Sequence, residues 1–143
     1  MAGKSDFLEN GLLALLFNGT AIATIADNAA STPLTNLYIA LHQADPTDAG
    51  NQTSSEANYV GYARVAVART SGAWTVTGNS VSPVANIDFP ISTGGTNSIT
   101  HWSVGVAASG ATNLLYVGTC TPTISVVSGV IPRLTTATTV TED

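Results

Sequence analysis

"YARVAVART", residues 62–70, alternates with a period of two: Tyr62, Arg64, Ala66 and Ala68 on one side, Ala63, Val65, Val67 and Arg69 on the other. Strict alternation over such a length marks a half-buried β-strand, because successive side chains leave a strand on opposite faces. Read this way, the valine face is core and Arg69 sits at the strand end. Arg64 shares the second face with Tyr62 and two alanines. The segment decides between an all-helical chain and a β-rich one, and the residues around it repeat its grammar.

Downstream, "WTVT" (74–77), "VANIDF" (84–89), "ITHWSVGV" (99–106), "LLYVGTC" (114–120), "ISVV" (124–127) and the Thr-rich tail "RLTTATTVT" (133–141) read as strands. Gly78-Asn79, "PISTGGTNS", "AASGATN" and Ser128-Gly129 are the turns between them. Upstream, "LYIALH" (37–42) is a short apolar run followed by "QADPTDAGNQTSSEAN" (43–58), a loop by composition. One helix precedes the strands, over residues 6–17. Asp6 and Glu9 stand as a D-x-x-E capping pair, Leu8, Leu12, Leu15 and Leu16 follow helical spacing, and Asn18-Gly19 signals the stop. Ala21 to Ala30 reads as irregular or a short second helix. The expectation is a mainly β chain: a single N-terminal α-helix, then an antiparallel β-sandwich or barrel of about eight short strands. With no linker or internal repeat, residues 1–143 read as one domain.

Charge is scarce. Of the residues, 9% are Asp, Glu, Lys or Arg, and the formal net charge is -5 with four cations in all. Soluble domains usually carry about 25% charged residues. Four cations cannot form a basic patch, which argues against direct nucleic-acid binding. A neutral, hydroxyl-rich surface desolvates cheaply and suits permanent assembly. One cysteine, Cys120, excludes an intrachain disulfide and a Cys-based zinc site. The N-terminal apolar stretch is too short to span a bilayer and has acids where a secretory signal carries positive charge. The expectation is a soluble protein made in a cytoplasm, with no membrane partner.

The chain offers no catalytic grouping. His42 and His101 have no H-x-x-x-H spacing, no G-x-S-x-G is present, and "STGGTNS" lacks the lysine and following helix of a phosphate loop. Asp45, Asp48 and Glu56 supply oxygens within one loop but miss the spacing of a calcium loop. Asp45-Pro46 reads as turn initiation, with Asp48 capping the next turn. No cofactor or metal is expected. Arg64 has two readings: a planar anchor onto a neighbouring subunit, or an internal role, its stem lying along its own sheet or its head ion-paired as a brace to Glu56 or Asp48.

The segments "SDFLENGLLALLFNGT", "LYIALHQADPTDAG", "GYAR" preceded shortly by a glutamate, and "ITHWSVGVAASGATNLLYVGT" together resemble a family of small tailed-bacteriophage virion proteins. Its members are labelled tail-fibre-like or head-decoration proteins. The turn in "VVSGVIPRL" departs from the Gly-Asp turn such proteins often carry. The resemblance implies a non-enzymatic structural subunit of a phage particle. Its expected form is a capsid decoration (cement) protein on the capsid exterior, a trimer or other homo-oligomer bridging the major capsid protein. A tail, baseplate or tail-fibre-like subunit is the alternative, and a receptor- or glycan-binding module using Tyr59, Tyr62 and Trp74 a further one. The interface candidates are Arg64, Tyr62, Glu56, Asp45, Asp48 and Tyr59.

Overall fold

The computed structural model describes residues 4–23, 25–30 and 32–142. Among them the elements run α1 (Asp6–Asn18), β1 (Asn36–His42), β2 (Val65–Ala68), β3 (Trp74–Thr77), β4 (Ser80–Pro83), β5 (Ile87–Asp88), β6 (Asn97–Gly105), β7 (Leu114–Val126), β8 (Arg133–Leu134) and β9 (Val140–Thr141). The chain is mainly β with one N-terminal helix. The sheets are open, in the orders β2-β1-β6-β7, β3-β4-β9 and β5-β8, and no barrel closes. Packing gathers two compact units. The first holds the described residues up to Asn36, Ala68–Asn86 and those from Leu134 onward; the second holds Leu37–Val67 and Ile87–Arg133. Both are discontinuous in sequence, so no one linker could have marked them.

In the first unit, α1 starts at Ser5, which is extended (φ -86°, ψ 155°) and makes no side-chain cap bond. Its carbonyl instead accepts from the Leu8 and Glu9 amides. Asp6 and Glu9 lie in the first turn, where the helix dipole favours negative charge. The helix ends at Gly19 with φ 66°, a left-handed conformation that glycine adopts without steric cost. The Gly19 amide then reaches Leu15 O, the single bond of an αL stop, and the Thr20 amide reaches Ala14 O.

The buried helix stripe is Glu9, Leu13 and Phe17, one turn apart each time, while Leu12, Leu15 and Leu16 are half-buried. The leucine spacing in "LLALL" fits two adjacent stripes, and the aromatic contact selects one. Phe17 meets Trp74 of β3 edge-on, with ring centroids 4.8 Å apart. Strands β3 and β4 form a hairpin whose register, Thr77↔Ser80, leaves Gly78-Asn79 as a two-residue loop. Gly78 supplies the positive φ such a loop demands at its first position. β9 adds to β4 through Val81↔Val140, and both valines are buried. Around Ile22 a bridge to Ala26 makes a tight irregular turn, so a second helix is absent from the described residues of 21–30; Thr24 lies outside them.

In the second unit, β1 is central and buried on both faces: Leu37, Ile39, Ala40, Leu41 and His42 are each at most 1% exposed. It pairs with β6 from Tyr38↔Gly105 to His42↔His101. β6 then pairs with β7, with irregularities between Ile99 and His101 and between Val104 and Gly105. Trp102 lies against Gly118, where an added Cβ would stand 2.3 Å from the indole ring. The two runs expected as separate strands, "LLYVGTC" and "ISVV", are one strand. The chain bulges through Cys120–Thr123 opposite Thr100 and resumes the ladder at Ile124↔Ile99. β2 is shorter than "YARVAVART" suggests. It begins at Val65, and within it the alternation holds, with Val65 and Val67 half-buried, short of the core positions expected of them, and Ala66 and Ala68 exposed.

Candidate functional site

Because β2 starts at Val65, Arg64 lies outside the strand and escapes its parity. It turns into the second unit and is 8% exposed. Its guanidinium meets six acceptors. Nε donates to Glu56 Oε1 at 2.7 Å and Nη2 to Glu56 Oε2 at 2.9 Å, a two-pronged ion pair. Nη2 also reaches Gly110 O at 2.8 Å. Nη1 reaches Ala107 O at 3.0 Å, Gln52 Oε1 at 3.2 Å and Thr112 Oγ1 at 3.3 Å. Glu56 holds the guanidinium above its ordinary pKa, and burial opposes this. Of the two roles open from sequence, this geometry is that of the internal brace.

The brace ties two loops to the sheet. Gln52, with no exposed surface, accepts from Arg64 and from Thr112 Oγ1 (3.0 Å) and donates to Tyr38 O (2.9 Å). Room for it exists because residue 105 is glycine: a Cβ there would lie 2.0 Å from Gln52 Cδ. Tyr62 donates its hydroxyl proton to Glu56 Oε1 (2.9 Å) and accepts from the Leu41 amide (3.1 Å). Burial drives the Tyr62 phenol far above its ordinary pKa, so it stays protonated and a donor. Tyr59 packs edge-on against Tyr62 at 5.4 Å and donates to Pro90 O at 2.9 Å; burial pushes its pKa up to about 12.

His42 lies beside this cluster with no exposed surface. Its Nδ1 is 2.8 Å from Ser54 O, and a carbonyl can only accept, so Nδ1 carries the proton. Nε2 then accepts from Ser103 Oγ at 2.8 Å. Burial lowers the His42 pKa. The Ser103–His42 contact has the spacing of a nucleophile and its base. Both groups are fully buried, however, and the histidine is oriented by a backbone carbonyl, where a catalytic triad has a carboxylate.

At the far end of the 43–58 loop, Asn97 acts as a second latch. Its Oδ1 accepts from the Asn58 and Tyr59 amides at 2.9 and 3.0 Å. Its Nδ2 donates to Asn58 Oδ1 at 2.8 Å and Gln43 Oε1 at 3.1 Å. The loop is thus ordered from within, even with Thr47 and Ser55 at positive φ. Asp45 Oδ1 accepts from the Thr47 amide at 2.8 Å, the turn expected of Asp-Pro. Asp45 and Asp48 are exposed.

The structure therefore brings Arg64, Glu56, Tyr62 and Tyr59 together and leaves Asp45 and Asp48 outside. Glu56 faces inward to Arg64. Among the described residues no group of three or more His, Cys, Asp or Glu side chains is placed to hold a metal ion. The three aromatics proposed as a glycan platform are not one: Tyr59 and Trp74 are buried at 3% exposure each, and Tyr62 is half-buried with its hydroxyl engaged. Sequence reasoning missed Gln52, Thr112, Ser103 and Asn97. They are neutral, lie 12 to 61 residues from their partners, and follow no local spacing. No helix among the described residues is long and apolar enough to cross a membrane.

No curated protein matches this chain. A family model described as "Podophage GP4 fiber I protein gp80" matches residues 3–141. The match covers nearly the whole chain, both units included. The chain therefore belongs to the podophage GP4 fiber I protein gp80 family and is a structural protein of the phage virion.

Proposed function

We propose that the protein is a capsid decoration subunit, seated on the head exterior and bridging major capsid proteins, with no catalytic turnover. The supporting observation is where its chemistry-bearing groups point. Arg64, Glu56, Tyr62 and His42 are spent on holding the second unit together. From Phe89 to Pro132 there is no Asp, Glu, Lys or Arg, yet Ile91, Val117, Val127 and Ile131 are exposed along that run. A neutral surface dotted with aliphatic groups is cheap to bury against protein and poorly suited to phosphate or to a charged substrate. Rigid loops held by an internal brace fit a subunit whose task is mechanical.

A tail-fibre-like role is the second reading, favoured by the word "fiber" in the family description. Imaging of purified particles by cryo-electron microscopy, with copy number from quantitative mass spectrometry, separates the two. Hundreds of copies on the head lattice are expected. Density confined to the tail or its fibres, at a few to some dozens of copies, would overturn the decoration reading in favour of the second.

A further inference from the structure

Thr53, Ser54 and Ser55 span the gap between two braced residues. Gln52 is held by Arg64, Thr112 and Tyr38 O, and Glu56 by Arg64 and Tyr62. The arch between them lies over the end of β1, with Thr53 and Ser55 exposed. Ser55 has φ 51°, a left-handed conformation that residues with a side chain rarely take. Among the described residues two bonds hold the arch down on β1, both at 2.8 Å: His42 Nδ1 donates to Ser54 O, and the Gln43 amide donates to Ser55 O. On its other side the imidazole accepts from Ser103 of β6, and it has no exposed surface. A small exposed arch thus covers a fully buried titratable ring.

The enclosure suits the neutral ring and resists the cation. Both nitrogens are matched as a neutral imidazole, and a second proton would enter at Nε2, where the Ser103 hydroxyl already donates. The charged and titratable groups acting on the ring are Glu56 from the loop, Arg64 from the chain before β2 and His101 from β6. His101 is the register partner of His42, so the two side chains leave one face of adjacent strands. Arg64 is permanently cationic. Glu56 opposes it, but its carboxylate is committed to Arg64 and Tyr62. A charged His42 is accommodated best where water reaches the ring.

We propose that the Thr53–Ser55 arch is an acid-opened cover: when His42 takes up a second ring proton, the arch lifts between the fixed Gln52 and Glu56 and admits water. The arch is the side that yields, because β6 is laddered to β1 from Tyr38↔Gly105 to His42↔His101, whereas two bonds hold the arch. Burial keeps the closed ring below the ordinary histidine value of 6.5, and an open ring titrates near that value. Opening therefore takes up a proton and is favoured as pH falls through about 6.5, until the closed ring is itself protonated. Lifting also uncovers the Gln43 amide, a backbone donor at the end of β1 that is capped at neutral pH. The inference goes beyond the reading above and holds for a head or a tail location alike.

Amide exchange followed by NMR on the purified full chain, corrected for the intrinsic effect of pH, tests it. The Gln43 amide is the reporter, since its acceptor is Ser55 O. The Gln52 and Ala57 amides, bonded to Thr112 O and Leu41 O outside the arch, are the controls. Between about pH 7.5 and pH 5, protection at Gln43 should fall about tenfold while both controls stay level. In His42→Gln the Gln43 protection should no longer depend on pH. Imidazole nitrogen shifts of the wild type, which need no variant, should place the fall on the titration of His42. Protection at Gln43 that holds steady in the wild type, falls together with both controls, follows a midpoint other than that of His42, or keeps its pH dependence in a folded His42→Gln would overturn the proposal.

Discussion

Arg64 and Arg69 stand five residues apart in one short segment, and each engages its guanidinium in a different way. Arg64 is met by a carboxylate, with Gln52, Thr112 and two carbonyls filling its remaining donors. Arg69, in the first unit, meets no carboxylate. It donates to Leu15 O, Leu16 O and Leu34 O at 2.7, 2.6 and 2.9 Å, and to Asn28 Oδ1 at 2.9 Å. Two of those carbonyls end α1, where the helix dipole favours a cation and the last C=O groups lack helical partners. The first arrangement neutralises a charge in the interior. The second uses a charge to close a helix. A chain with four cations has committed two of them to architecture, so scarcity of charge here does not mean that each charge is a site.

The contrast can be broken from the Arg64 side first, where the largest effect is expected. Glu56→Gln keeps the shape of the partner and removes its charge, leaving a buried guanidinium uncompensated. Unfolding in urea should show a loss of about 3–5 kcal/mol. A loss under about 1 kcal/mol would mean that the six contacts are exchangeable with water and the brace is not one. Arg64→Lys should fall between, since it keeps the charge and loses the fork.

Arg69→Met comes next. It retains the aliphatic stem, so the cost is that of the carbonyl contacts alone, about 1–2 kcal/mol. Hydrogen exchange should quicken at the C-terminal turn of α1 while the Arg64 cluster keeps its protection. Equal changes in both regions would show the two arginines to be one system.

The pH profile sharpens the Arg64 side further. Burial lowers the His42 pKa below its unfolded value near 6.5, with Glu56 opposing and Arg64 and His101 assisting the shift. On acidification the unfolded chain takes up its proton first, so stability falls as pH drops through about 6.5 and the loss levels off only below the folded pKa. Midpoints measured between about pH 7.5 and pH 5 should decline in wild type. The part due to His42 should vanish in His42→Gln, and identical slopes in the two proteins would remove His42 from the account. The smallest effect belongs to Arg133. Its pair with Asp88 is exposed on both sides, and Arg133→Ala should leave the midpoint unmoved at physiological salt. A measurable, salt-sensitive drop would show that surface pairing matters in this chain after all.

Much of the fold is legible in the residues. The change from helical to alternating periodicity after residue 36, the Gly78-Asn79 hairpin loop and the Asn18-Gly19 stop are local features with local causes. Where reading fails, the cause is tertiary. Pro122 reads as the end of a strand, yet β7 passes it by bulging. "SVSP" offers too little apolar pattern to announce β4, which exists because β3 and β9 flank it. Counting parity through residues that precede the strand puts Arg64 on an outward face, and the fold turns it inward. Its acidic partner Glu56 can be named from sequence because charges are so few. Gln52 and Asn97 cannot, because an amide's role depends on which backbone groups the fold leaves unpaired near it.

The indole of Trp102 rests on Gly118 in the second unit, and that of Trp74 meets Phe17 in the first; the chain has two tryptophans in all. Both are buried, so both should emit at short wavelength when folded and shift to the red on exposure. Each unit therefore carries its own fluorophore. With Trp74→Phe the remaining signal follows the sheet around β6 and β7, and with Trp102→Phe it follows the helix and its hairpin. An optical record of which half of the molecule loosens first is built into the native sequence, without an added label.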